Sequence, residues 1–329
     1  MRKEDLKSLI VDELANCGFS TSGDVQLIGP LHERPYGMIY QLKIANAPFP
    51  FAVKVCRYPT RDEPNIKFSK RQYADLERFY NVLKNDPVHR VSQPICLLED
   101  HAVVVMEWAV GRSAVEYLLD WHCSGKCIED KIRKAALLLK QLHEKCFQSL
   151  DYPTVECQLE KIDQLLKSGK NQKNYLYRFN EQLKLLAPEV RKTKIPFVYI
   201  HGDYQPSNII FSKDKVYAID VTYSRVEAAN IDVVTLLNTL SRIFLLPKGF
   251  RLLPIKNRIF NAFYKEYYGD NYKQSLFVLT WMMLQDQLRF YLENAGSNSR
   301  SLKNFYFDIS QRRLMTGLLK ELNSNVGTN

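Results

Sequence analysis

Two carboxylates and a carboxamide stand close together in Tyr199-Ile-His-Gly-Asp-Tyr-Gln-Pro-Ser-Asn-Ile-Ile-Phe211 and its continuation Val216-Tyr-Ala-Ile-Asp220. Asp203, Asn208 and Asp220 fall in loops at the ends of short apolar runs that read as strands, where a rigid scaffold can hold polar groups steady. Hard oxygen donors of this kind suit Mg²⁺, which takes one or two protein carboxylates and completes its shell with substrate phosphates. The competing reading is an Asx-rich hairpin whose side chains only satisfy turn backbone. Lys54 counts against it, because it interrupts the apolar run Phe51-Ala-Val-Lys-Val55. A lone Lys on a strand can face water at a sheet edge. Beside an acidic pair of the Mg²⁺ type, a phosphate-pairing role explains it better.

The elements that must position these groups follow from periodicity. Residues 4–17 read as a short amphipathic helix (Leu6, Ile10, Leu14), ended near Gly18. Alternating runs at 25–28, 38–44 and 51–56 then predict three antiparallel strands. Helical spacing returns over 66–84, through Phe68, Tyr73, Leu76, Phe79, Tyr80 and Leu83, until Asp86-Pro87 stops it. Two more strands are expected at 93–98 and 101–108, with a turn at Gly111. Past Gly111 helices dominate at 113–122, 129–147, 156–190 and through 230–323, interrupted by one β-rich island at 197–200, 208–211 and 216–219. The expected fold class is α+β: a small lobe over 1–109 with five antiparallel strands and one helix, and a large, mainly helical lobe over 110–329.

In order and spacing, residues 25–240 resemble the aminoglycoside phosphotransferase-like kinases, within the protein-kinase-like superfamily. His201-Gly-Asp-Tyr-Gln-Pro-Ser-Asn208 followed by Ile219-Asp220 is similar to the family's catalytic and metal motifs. Phe51 to Val55 is similar to its third strand with a Lys, and Val103 to Gly111 to its hinge. Leu138-Leu-Lys-Gln-Leu-His143 is similar to its helix ending in Leu-His, and Asp232 falls where a buried structural Asp follows the metal loop. The resemblance implies a bilobal, protein-kinase-like fold and an ATP- (or GTP-) and Mg²⁺-dependent phosphotransferase. Asp203 would accept or orient the proton of the attacking hydroxyl, with Asn208 and Asp220 holding Mg²⁺. Lys54 would pair the phosphates, and the backbone of Glu107, Trp108 and Ala109 would meet the adenine edge. His201 would brace the loop. Chemistry of this kind rests on positioning and neutralisation of charge more than on covalent steps.

Two departures from the family pattern stand out. The phosphate loop, His32-Glu-Arg-Pro-Tyr-Gly-Met-Ile-Tyr40, has only Gly37 and no Gly-x-Gly-x-x-Gly. The acidic partner of the strand Lys is replaced by Gln72 in Arg71-Gln-Tyr-Ala-Asp-Leu76, with Asp75 three residues on as a substitute. With Gln72 as partner, Lys54 would donate to a neutral amide oxygen in place of forming an ion pair, a weaker contact.

Composition sets the outer bounds. The 329 residues carry 46 Lys+Arg against 36 Asp+Glu, with 46% hydrophobic content, and this excludes disordered, collagen-like and coiled-coil classes. Seven scattered Cys give no disulfide or zinc pattern: Cys123-Ser-Gly-Lys-Cys127 lacks a second ligand pair, so a reduced, cytoplasmic protein is expected. No signal peptide or membrane span is expected, and no Gly-x-Ser-x-Gly supports a serine hydrolase. Residues 241–329 hold thirteen Lys/Arg against six Asp/Glu. Arg251, Lys256, Arg258 and Lys265, interleaved with Phe260, Phe263, Tyr264, Tyr267 and Tyr268, would suit an anionic or lipid-linked glycoconjugate, a sugar phosphate or the membrane surface bearing one. A solvated basic face over an aromatic core would look the same. No nucleic-acid motif accompanies the charge. The expected acceptor is thus a hydroxyl of a small molecule, sugar or glycoconjugate. The alternatives are an aminoglycoside-type antibiotic phosphotransferase, disfavoured by the basic sign, or a nucleotide-binding pseudokinase scaffold.

Overall fold

The computed structural model describes residues 2–34, 36–59, 61–168, 173–221, 224–270, 272–294 and 302–326. In chain order the elements run α1 (Lys3–Asn16), β1 (Val25–Arg34), β2 (Gly37–Ile44), β3 (Phe51–Tyr58), β4 (Arg61–Pro64), α2 (Ile66–Leu83), β5 (His89–Val91), β6 (Pro94–Leu98), β7 (Val103–Glu107) and β8 (Arg112–Ser113). They continue with α3 (Ala114–Leu119), α4 (Gly125–Lys145), β9 (Phe147–Asp151), α5 (Glu156–Lys167), α6 (Asn174–Arg191), β10 (Ile195–Tyr199), β11 (Ile209–Phe211) and β12 (Val216–Ala218). The last are β13 (Val226–Ala228), α7 (Asn230–Phe244), α8 (Lys256–Tyr268), α9 (Lys273–Asn294) and α10 (Leu302–Val326). The chain forms two compact units. One comprises residues 1–112 with 208–224, the other 113–207 with 225–329.

The first unit is built on an antiparallel sheet of order β1-β2-β3-β7-β6, the five strands expected, with the short β4 added against the end of β3. Side chains alternate across a strand, and β3 uses both faces. Phe51 and Val53 join Leu42, Val103 and Val105 in a core closed by Leu6, Ile10 and Leu14 of α1. Lys54 and Cys56 therefore turn to the opposite face, where Gln72 of α2 lies against Cys56 (Sγ to Oε1 3.6 Å). This places Lys54 on a central strand, paired with Ile39 on one side and Val104 on the other, and rules out the sheet-edge reading. Helix α2 starts where the Asn65 side chain accepts the Phe68 amide (3.1 Å), a cap that satisfies one of the open donors of the first turn.

The β-rich island divides into two separate sheets. Strands β11 and β12 form a hairpin in register Ile209↔Ala218, and β12 pairs in parallel with β5 within the first unit. Strand β10 lies between β9 and β13 in the second unit. The single helix expected over 156–190 is instead α5 and α6. Helix α5 closes at Ser168, whose amide reaches Gln164 (3.0 Å), immediately before the poor helix former Gly169. The second unit is otherwise helical, its core holding the fully buried Trp281, Phe244 and Phe263. Among the described residues no helix is long and apolar enough to cross a membrane.

Candidate active site

In the first unit, the Lys54 ammonium contacts the Asp220 carboxylate at 2.5 Å, and the Gln72 amide donates to the same oxygen at 3.2 Å. Lys54 is only 9% exposed, and the Phe68 ring lies 5.9 Å from its nitrogen. Burial of an ammonium is tolerated where a carboxylate meets it. Of the two candidate partners on α2, the structure brings Gln72 to this pair and takes Asp75 elsewhere. Asp75 is held by Arg78 (3.0 Å) and Arg71 (3.8 Å), and its burial raises its carboxyl against the pull of those two cations.

Asp220 has a left-handed backbone, φ +57°, which a residue bearing a Cβ adopts at a cost. Such strain gathers where a side chain must be aimed. The Ile219 amide donates to the Asn208 carbonyl (2.9 Å), continuing the β11–β12 ladder, so Asn208 and Asp220 sit at the same end of one hairpin. A carboxamide and a carboxylate there provide two hard oxygen donors. Among the described residues no group of three or more His, Cys, Asp or Glu side chains could hold a metal. A two-donor set fits a Mg²⁺ that takes its remaining ligands from phosphates and water.

At the end of β7, the Glu107 amide donates to Gln93 (2.8 Å) and the Trp108 amide to Pro50 (2.9 Å). Successive backbone groups of an extended chain point to opposite sides, so Trp108 spends its amide on the sheet. The Glu107 side chain is structural: Tyr217 donates to it (3.0 Å), as does the Gln93 amide (3.2 Å). Gly37 opens β2 opposite Cys56, and a Cβ there would lie 2.3 Å from the Val55 carbonyl oxygen, so close packing of strands requires this glycine. Pro35 of the same stretch lies outside the described residues.

In the second unit, the Asp203 loop is held by its backbone. The fully buried Asp232 accepts the amides of His201 (2.6 Å) and Gly202 (2.9 Å), the latter at φ +84°, a left-handed turn that glycine allows freely. His143 donates to the same carboxylate (3.0 Å) and contacts the Tyr267 hydroxyl through its other nitrogen (2.5 Å). Burial alone would raise the Asp232 carboxyl, but these donors outweigh it and hold the group below its ordinary range. Asp203 itself is half-buried. Its amide reaches His201 Nδ1 (3.3 Å), which puts the imidazole proton on Nε2, and Gln205 donates to its carboxylate (3.1 Å). Gln205 and Tyr267 were not singled out for these contacts by sequence. Gln205 has a sequence signal, an amide two residues after Asp203 in a turn, whereas Tyr267 gives none.

In the segment 251–268 the basic and aromatic residues part company: Lys265 is exposed and the Arg258 side chain is 55% exposed. Phe260, Phe263 and Tyr264 are buried core. Arg251 is committed to the carbonyls of Leu118, Asp120 and Cys123, and Arg258 to Glu129 (2.6 Å). Asp286 is likewise paired, with Arg242 (3.2 Å) and Arg289 (2.7 Å).

The model of the phosphotransferase enzyme family (APH) matches residues 50–258. No curated protein sequence matches the chain. Solved structures share its fold. A choline/ethanolamine kinase family protein from Mesorhizobium loti has a TM-score of 0.61 at 11% identity, over 96% of this chain and 98% of that one. An amicoumacin kinase, hAmiN, in complex with AMP-PNP, Ca²⁺ and Ami, has 0.60 at 14%, over 97% and 96%. A Plasmodium vivax ethanolamine kinase has 0.55 at 15%, over 92% and 83%. With more than half of its length matched by the family model, and with the kinase-like fold in place, the chain belongs to the phosphotransferase enzyme family.

Proposed function

We propose that the protein moves the γ-phosphate of ATP onto a hydroxyl of a small molecule, sugar or glycoconjugate, with Asp203 as the base. The observation that carries this reading is the buried Lys54 on a central strand, in contact with an Asp220 whose backbone is strained and whose hairpin end also holds Asn208. Asn208 and Asp220 would hold Mg²⁺, which when bound neutralises phosphate charge. Lys54 donates to phosphate oxygens once a nucleotide competes for it with Asp220. The Glu107 carbonyl and Ala109 amide hydrogen-bond the purine edge. Asp203, steered by Gln205, accepts the hydroxyl proton as the acceptor oxygen attacks, a contribution typically worth about 10²–10⁴ in rate.

The fold of the amicoumacin, choline and ethanolamine kinases supports a small organic alcohol as acceptor. Arg251 and Arg258 are committed to protein partners, which weakens the case for an anionic one at two of its four cations. Incubation with γ-labelled ATP and Mg²⁺ against amino alcohols, sugars, sugar phosphates and aminoglycosides tests the reading. Label appearing on an acceptor hydroxyl supports it. Nucleotide binding by thermal shift, with no label reaching any acceptor, overturns it in favour of a scaffold.

A further inference from the structure

Wholly within the second unit lies a cavity of about 510 Å³. That is within the range of small-molecule pockets, about 300–1,000 Å³. Ile195, Val198, Ala229 and Val278 give it apolar walls. Lys140, Lys194 and Glu144 are the charged groups on its lining, leaving a net positive sign. Lys140 pairs with Glu144 at 3.9 Å, and Lys194 is exposed with its ammonium 5.4 Å from the Tyr152 ring centroid. Its polar inner surface includes Asn230, which accepts from Tyr268 (2.9 Å), and the pair His143 and Tyr267. His143 is 5% exposed and bonds Asp232, which holds the amides of His201 and Gly202 directly before Asp203. A molecule seated in the cavity would touch the side chains that brace the catalytic loop without touching Lys54, Asp220 or Asn208, none of which lines it.

We propose that this cavity is an effector site for a small organic anion with a flat apolar body, and that its occupancy is felt at the catalytic loop through His143 and Asp232. Apolar walls supply affinity for the body, and Lys140 and Lys194 select the sign. The Tyr267–His143–Asp232 chain of hydrogen bonds supplies the contiguous path that coupling needs. The coupling half of the proposal rests on the assignment of Asp203; the binding half does not.

The probe is 8-anilinonaphthalene-1-sulfonate, a flat aromatic monoanion that fluoresces when removed from water. It is titrated into the full-length protein with the nucleotide site saturated by Mg²⁺ and a non-hydrolysable ATP analogue. One probe per chain is expected. Ser275→Trp, which fills the cavity, and Lys194→Glu, an exposed change that spares the fold, are each expected to weaken binding by about tenfold or more. Bound probe is further expected to slow hydrogen exchange at the His201 and Gly202 amides. Probe binding that survives both substitutions overturns the site. Binding lost in both variants, with exchange at those two amides unaltered by the probe, overturns the coupling. Neither readout requires turnover, so a failure here is distinct from a failure to find an acceptor.

Discussion

Asp220 and Asp232 are both carboxylates held by hydrogen-bond donors, yet the two regions around them are built to opposite ends. Asp232 is fully buried and spends itself on two backbone amides and one imidazole of its own unit. Asp220, its side chain about a third exposed at 35%, stands in a left-handed turn against one buried ammonium and one neutral amide. The first arrangement fixes the shape of a loop. The second leaves a carboxylate partly exposed in a left-handed turn. Loss of Asp232 should therefore damage folding first and chemistry through it, whereas loss of the groups around Asp220 should damage chemistry and leave the fold nearly intact.

The largest expected effect on stability is from Asp232→Ala, which strands buried amides and an imidazole. A loss of about 3–5 kcal/mol is expected, as for other broken buried pairs, read as a lower urea midpoint. A loss below about 1 kcal/mol would erase the contrast. Lys54→Met should lower kcat/KM by about 10²–10³, the scale of removing one stabilising donor, with the urea midpoint close to that of the parent. A collapse of stability in that variant would make Lys54 structural.

Titration separates the two regions further. The folded-state carboxyl of Asp232 lies below its unfolded value of about 3.9. Its ionised form therefore stabilises the fold above that pH, and the contribution is lost as the pH falls through the depressed folded value. Asp232→Asn should flatten the acid limb of a stability–pH curve; an unchanged slope would contradict the arrangement. The smallest effect expected is from Gln72→Glu. Gln72 now donates to Asp220, and a carboxylate in its place would lose that bond and offer Lys54 a second ion-pair partner, releasing Asp220. Tighter nucleotide binding, by less than about tenfold, is expected by isothermal titration; weaker binding would show that Gln72 is the better partner here.

Much of this was legible in the sequence because isolated charges in apolar runs are conspicuous. Lys54 stood out in Phe51–Val55, and Asp203, Asn208 and Asp220 at strand ends. Helix α2 could be read from its period, and Gln72 falls on its buried face with Leu76 and Phe79. The short β5 (His-Arg-Val) and β13 (Val-Glu-Ala) lack the apolar runs that marked the equally short β11 and β12, so they could not be read, nor could the pairing of β12 with β5. The segment 251–268 left two readings open for a different reason. Phe260, Phe263, Tyr264 and Tyr267 follow the spacing of one helix face, which is the mark of a core. The cations between them drew the reading outward, although Arg258 lies on α8 beside a carboxylate of α4. The contacts of Tyr267 with His143 depend on tertiary packing and leave no trace in spacing.

The central claim is that Asp203 does the proton chemistry while other residues hold the nucleotide. It is tested most directly by measuring turnover and nucleotide affinity together in Asp203→Ala, with whichever acceptor takes up label. The account predicts transfer reduced by about 10²–10⁴, with the dissociation constant for Mg²⁺-ATP within about twofold of the parent. Unchanged turnover, or nucleotide binding lost along with it, would contradict the account.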